Sequence, residues 1–177
     1  MYTFSNPNIE IATIADVAVI KDLLDSAYRG ESSKEGWTNE AHLVGGNTRT
    51  NSETIEKIMR QPGSKFLKYT NEKNETIGCV NLQQHGDKIY LGMFSVSPKL
   101  QGGGIGKQML RASEEHAKNL HCTSIYMSVI SVRTDLINWY QRHGYEDTGK
   151  REPFIEDKMS GKHLQQLEFM IMEKAIR

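Results

Sequence analysis

The most constraining stretch of the chain is an apolar run, Ile89-Tyr90-Leu91-Gly92-Met93-Phe94-Ser95-Val96, that leads through Ser97-Pro98-Lys99-Leu100 into Gln101-Gly102-Gly103-Gly104-Ile105-Gly106-Lys107. The run carries apolar residues on both faces of an extended chain, which predicts a central strand covered on both sides. Beyond the glycines, Ile105, Met109, Ala112, His116 and Leu120 share one helical face, with Leu110 and Ala117 beside it, so a helix is predicted to about Asn119. A helix N-terminus presents unpaired backbone N–H groups and a partial positive charge, both suited to a phosphate. Glycines let the backbone approach phosphate oxygens with no Cβ in the way, and Lys107 adds a cation.

Three familiar phosphate loops fail on particular residues. A dinucleotide fingerprint needs a third glycine three residues after Gly106, where Met109 stands. A Walker loop needs Ser or Thr after the lysine, but Gln108 follows Lys107, and Gln101 fills the place of its first glycine. A kinase glycine loop lies in a strand hairpin, whereas this one opens a helix.

The remaining pattern supplies the partners that a covered strand requires. Ile9–Thr13 reads as a short strand, and Asp16 as the cap of a helix carrying Val17, Ile20, Leu23, Leu24 and Ala27 to about Gly30. A long polar connection runs from Gly30 to Asn51, followed by a short helix from Ser52 that Pro62-Gly63 stops. Strands are predicted at Lys65–Thr70, Thr76–Gln83, Lys88–Val96, Ser124–Ile130, Tyr145–Gly149 and Gln165–Glu173, with a helix at Asp135–His143. The order predicts one α/β domain over residues 1–177, with helices on the faces of a mixed sheet.

Composition narrows the function. Lys plus Arg total 22 and Asp plus Glu total 22, so no general electrostatic affinity for nucleic acid or an anionic membrane is expected. No apolar stretch approaches the ~18 residues of a membrane helix, and no basic-then-apolar leader is read at the start, so a cytoplasmic location is expected. Cys79 and Cys122 are too few for a cysteine zinc site and read as reduced, buried residues. The histidines (42, 85, 116, 121, 143 and 163) form no metal-ligand spacing, and there is no Gly-x-Ser-x-Gly elbow, so neither a metal nor a serine triad is expected.

Gln101-x-x-Gly104-x-Gly106, after an apolar strand ending in Val96, resembles the cofactor motif of the GNAT superfamily of acetyl-CoA-dependent N-acetyltransferases. Asn138-Trp139-Tyr140-Gln141-Arg142-His143-Gly144-Tyr145 resembles that superfamily's helix-then-strand segment, and the element order matches over about residues 9 to 174. The resemblance implies a mostly antiparallel sheet of six or seven strands with one splayed parallel pair, flanked by four helices. It implies acetyl transfer from acetyl-CoA to a primary amine without a covalent enzyme intermediate.

Carried over residue by residue, Gln101, Gly102, Gly103, Gly104, Ile105, Gly106 and Lys107 would hold the pyrophosphate. Phe94, Ser95 and Val96 would line the pantetheine arm, and the Phe94 N–H would polarise the thioester carbonyl. Tyr140 occupies the position of the acid that protonates the leaving thiolate. Many members carry asparagine seven residues before that tyrosine; here Arg133 stands there, leaving its polar contact to Asn138 or Arg133. Glu31, Trp37, Thr38 and Glu40, with Glu35, fall in the region that borders the acceptor in this superfamily, and Pro153-Phe154 would form the far wall. The general base stays open, as do a silent acyl-CoA sensor, a protein lysine or N-terminal acetyltransferase, another acyl donor, and a homodimer.

Overall fold

The computed structural model describes residues 3–28, 51–97, 103–153 and 168–176. Strands β1 (Ile9–Ile11), β2 (Ser64–Thr70), β3 (Thr76–His85), β4 (Lys88–Val96), β5 (Ser124–Ile130), β6 (Glu146–Pro153) and β7 (Glu168–Ala175) form one sheet in the order β1-β2-β3-β4-β5-β7-β6. Only β4 and β5 run parallel; every other neighbouring pair is antiparallel. The helices are α1 (Val17–Tyr28), α2 (Ser52–Met59), α3 (Ile105–Asn119) and α4 (Thr134–Arg142). The expected mixed sheet with one parallel pair and four helices is therefore present. Among the described residues no helix is long and apolar enough to cross a membrane.

Alternation along the strands divides the core in two. Phe66 and Cys79 face a cluster with Ile20 and Leu24 of α1 and Ile55 of α2. Their neighbours Leu67 and Val80 point the opposite way, into a larger cluster with Met109, Leu110 and Ala117 of α3 and Ile137 and Tyr140 of α4. Fully burying one such aliphatic side chain contributes about 1.5–3 kcal/mol, so the two clusters hold helices on both faces of β3 and β4. Cys79 (0% exposed) and Cys122 (6% exposed) are both free thiols, and burial and then Asp87 push the Cys122 thiol above its ordinary range.

Local signals set the helix starts, with one correction. Asp16 is not the cap of α1: it ends a 3-10 turn, Ile14–Asp16, and its carboxylate accepts from the Thr13 N–H at 2.8 Å. Thr13 thus opens the helical segment, and Asp16 supplies the reciprocal half of a capping box. The same carboxylate accepts from Lys68 Nζ at 2.9 Å, tying this turn to β2. Asn51 caps α2 by accepting from the Thr54 N–H at 2.8 Å.

His116 lies on the buried face of α3 and is 3% exposed. Burial first, and Lys65 second, push its pKa down to about 4 from 6.5. The folded state therefore holds the imidazole neutral where the unfolded chain protonates it. Its stabilising contribution is full above the unfolded pKa and is lost as pH falls from 6.5 towards 4. We expect His116 alone to cost about 2 kcal/mol of unfolding free energy between pH 7.5 and pH 5. Urea titrations at both pH values check this, and H116Q should flatten the difference.

Candidate active site

The site begins where two strands part company. β4 pairs with β5 only at Lys88, Tyr90 and the residue between them, against Ser124 to Tyr126, although β4 continues to Val96 and β5 to Ile130. Beyond Tyr90, β4 stays on β3, with Cys79 opposite Ser95 and Gly78 opposite Val96. β5 stays on β7 as far as Ile130 opposite Phe169. Each strand is held by its outer neighbour while the inner edges separate.

A bulge marks the departure. Between the Asn81–Gly92 and Cys79–Ser95 pairs, Val80 alone faces Met93 and Phe94. Met93 has φ 47°, a left-handed conformation that is costly outside glycine, and its side chain packs with the α1–α2 cluster while Phe94 packs with the α3–α4 cluster. A bulge bends its strand and leaves one residue out of the ladder, so β4 offers backbone groups to the gap that an extended ligand can pair. Ser95, on this stretch, is 5% exposed, and its hydroxyl makes no hydrogen bond among the described residues.

The mouth of the gap is the start of α3. Gly104 is its N-cap with φ 84°, and a Cβ there would meet nothing within 4 Å among the described residues. Glycine at this position therefore serves the backbone angle and not a neighbour. The first bond of the helical ladder is Gln108 N–H to Gly104 O at 3.1 Å, so the N–H groups of Ile105, Gly106 and Lys107 precede the ladder. Lys107 and Gly103 are exposed beside them; Gln101 and Gly102 lie outside the described residues.

Helix α4 forms the wall. Tyr140 is 5% exposed, with its ring 6.5 Å from Phe94, 5.2 Å from Trp139 and 5.9 Å from Tyr145. Trp139 reaches back to Phe94 at 6.1 Å and lies edge-on to His143 at 4.4 Å. Burial, then Lys107, Arg142 and Lys174, hold His143 below its ordinary pKa. The structure thus brings the rings of Phe94 and Tyr140 close together. It does not bring Asn138 to them: that residue is exposed and, at two helical steps from Tyr140, points about 160° away. Arg133 instead turns inward, 4% exposed, with its Nε 3.3 Å from Asp135, whose carboxyl it holds low against the opposing effect of burial.

Glu31, Glu35, Trp37, Thr38, Glu40 and Phe154 lie outside the described residues. A separate cavity of about 530 Å³ sits at the other end of α3, lined by Glu114, Lys118 and Lys174 among others. Lys174 and Glu114 pair there at 3.0 Å, and no part of the gap lines it. Sequence reasoning missed the Met93 bulge and the contact between Gly106 and Trp139. Neither has a residue signature: methionine does not announce a left-handed backbone, and the second pair meets only in three dimensions.

A sequence model of the acetyltransferase (GNAT) family matches residues 18–145. The chain belongs to this family. A spermine/spermidine N(1)-acetyltransferase of Bacillus subtilis is 33% identical over 78 residues, which is 44% of this chain and 51% of that protein. A thialysine N-epsilon-acetyltransferase of Mus musculus is 26% identical over 82 residues, or 46% of this chain and 48% of that one. These matches span about half the length of each relative. Among solved structures, the ribosomal-protein-S18-alanine N-acetyltransferase of Escherichia coli aligns with TM-score 0.69 at 13% identity, covering 95% of this chain and 92% of that one. A GNAT superfamily phosphinothricin acetyltransferase of Sinorhizobium meliloti, in complex with acetyl-CoA, aligns with TM-score 0.69 at 14% identity, covering 95% and 87%. At these identities the likeness is one of fold, and the GNAT chain described here shares that fold across nearly its whole length.

Because a Cβ on Gly104 would touch none of the described residues, the cost of Gly104→Ala is taken from its backbone angle, φ 84°. We expect about 1–2 kcal/mol of lost stability from the left-handed angle. Urea unfolding of the protein without ligand checks the value.

Proposed function

We propose that this GNAT protein transfers the acetyl group of acetyl-CoA to a primary amine of a small molecule by direct attack. The observation that carries the reading is the wedge between β4 and β5, with helix amides that precede the hydrogen-bonded ladder at its mouth and Tyr140 on its wall. Membership of the family and the acetyl-CoA complex of a fold neighbour support the donor. Relatives named for spermine/spermidine and thialysine support a small amine as acceptor.

In this reading the amides of Ile105, Gly106 and Lys107, with Gln101 and the preceding glycines, hold the pyrophosphate as an anion at a helix N-terminus. The stretch of β4 from Phe94 to Val96, beyond its last pair with β5, pairs with the amide groups of the pantetheine arm. The Phe94 N–H, at the bulge, donates to the thioester oxygen as negative charge develops there. The amine nitrogen bonds to the carbonyl carbon, the C–S bond breaks, and Tyr140 gives its proton to the departing thiolate. A thiol pKa near 8.5 and a phenol pKa near 10 make that transfer feasible once the C–S bond lengthens.

The acceptor poses the larger proton problem. An alkylamine with a pKa of about 10.4 is mostly protonated at pH 7, which withholds about 4 kcal/mol of nucleophilic form. A base must take that proton, and Glu31, Glu35 and Glu40 are the candidates, with Trp37 suited to stacking over a cation and Thr38 beside it. Arg133, at the N-cap of α4, is buried whereas Asn138 is exposed, and we assign Arg133 the polar role that the asparagine takes elsewhere in the family.

Thiol release from acetyl-CoA in the presence of polyamines, amino acids, aminoglycosides and lysine peptides tests the reading. Turnover with a small amine is expected; hydrolysis without acceptor dependence, or no turnover with any amine, overturns it. Tyr140→Phe should lower kcat about 100-fold and leave the Kd for acetyl-CoA within about twofold. Steady-state kinetics with calorimetry separate the two parameters, and unchanged kcat removes Tyr140 from the mechanism.

A further inference from the structure

The two outer glycines of the Gly104-x-Gly106 pair have different environments. A Cβ on Gly104 would meet nothing within 4 Å among the described residues. A Cβ on Gly106 would lie 3.2 Å from Trp139 Cζ2, 3.3 Å from Trp139 Cη2 and 3.7 Å from Phe94 Cζ. The first two distances are tighter than ordinary van der Waals contact, so a methyl group there would displace the indole by a few tenths of an ångström. Gly106 is thus packed against the far edge of an aromatic ring on α4, and the ring is itself held between Phe94 and His143.

We propose that Trp139 is a positioning residue for the cofactor grip: its indole seats on the bare Cα of Gly106 and fixes the direction in which the first turn of α3 presents its free N–H groups. The inference rests on the cofactor-binding reading above and extends it to a residue that touches neither the donor nor the reacting atoms. The amides of Ile105, Gly106 and Lys107 precede the helical ladder, so no intrahelical bond holds their orientation. A side chain packed on the middle residue of that turn supplies the constraint. Trp139 is also the neighbour of Tyr140 in the chain, so one turn of α4 sets both the anion grip and the acid wall. The small residue at 106 is then required by the ring, whereas a glycine kept small for close approach of phosphate would be required whatever stood at 139.

These two explanations for Gly106 differ in one measurable way. Phe in place of Trp139 removes the ring edge that an added methyl group would strike. We expect G106A to weaken coenzyme A binding about tenfold by calorimetry and to raise the KM for acetyl-CoA in parallel. W139F alone should weaken binding about threefold. The double variant G106A/W139F should bind within about threefold of the wild type, better than G106A. The reciprocal rescue is a signature that general loss of structure does not give. If the double variant binds as poorly as the product of the two single effects, or if G106A binds like the wild type, the inference falls. Should G106A fail to fold, a W37F background leaves Trp139 as the sole tryptophan, and its emission should change on titration with coenzyme A; an unchanged spectrum despite measurable binding heat overturns the proposal. Absence of binding heat in the wild type would instead remove the cofactor reading, so the two failures are distinguishable.

Discussion

Everything at the site depends on a sheet that is deliberately incomplete. Hydrogen bonds between β4 and β5 stop after Tyr90 and Tyr126, while β3 and β7 keep hold of the outer edges. Separating two central strands exposes backbone donors and acceptors, which is costly in a protein interior unless something replaces the lost partners. The bulge at Met93 and Phe94 and the aromatic side chains of Phe94, Trp139 and Tyr140 lie beside the opening, and in our reading the ligand itself supplies the missing partners.

The aromatic cluster links elements distant in the chain. Phe94 belongs to the strand that would activate the carbonyl, Tyr140 to the helix that would supply the acid, and Gly106 to the turn that would hold the diphosphate. All three meet Trp139, directly or within one ring. Packing inside proteins is close enough that a methyl group is felt. In a cluster of this kind, geometry at one end of a long ligand is not independent of geometry at the other.

Much of this was legible in the residues. The bounds Lys88–Val96 and Ser124–Ile130 agree with the structure because these strands are apolar on both faces and lie between clear turns. The start of α3 at Ile105 follows from the glycines. β6 was harder: it was expected at Tyr145–Gly149 and runs from Glu146 to Pro153, because all eight of its residues are exposed and no apolar alternation marks it. Asp16 differs in role, lying three residues after the cap Thr13, since an oxygen facing an N–H serves equally as a cap or as the returning half of a capping box. The family motif singled out the turn that opens α3, which the structure places beside the parted strands. Residues that differ from the motif, such as Arg133, needed coordinates before their direction was known.

The burial of the two cysteines has a practical consequence. Cys79 lies under α1 and α2, and Cys122 follows α3 with its thiol held in the protonated form by burial and by Asp87. The thiolate is the reactive species, so neither sulfur offers an aromatic disulfide dye a ready nucleophile while the fold is intact. Colour developed by such a dye in a turnover mixture would then report liberated coenzyme and not the enzyme, whereas the same dye after denaturation would count both protein sulfurs.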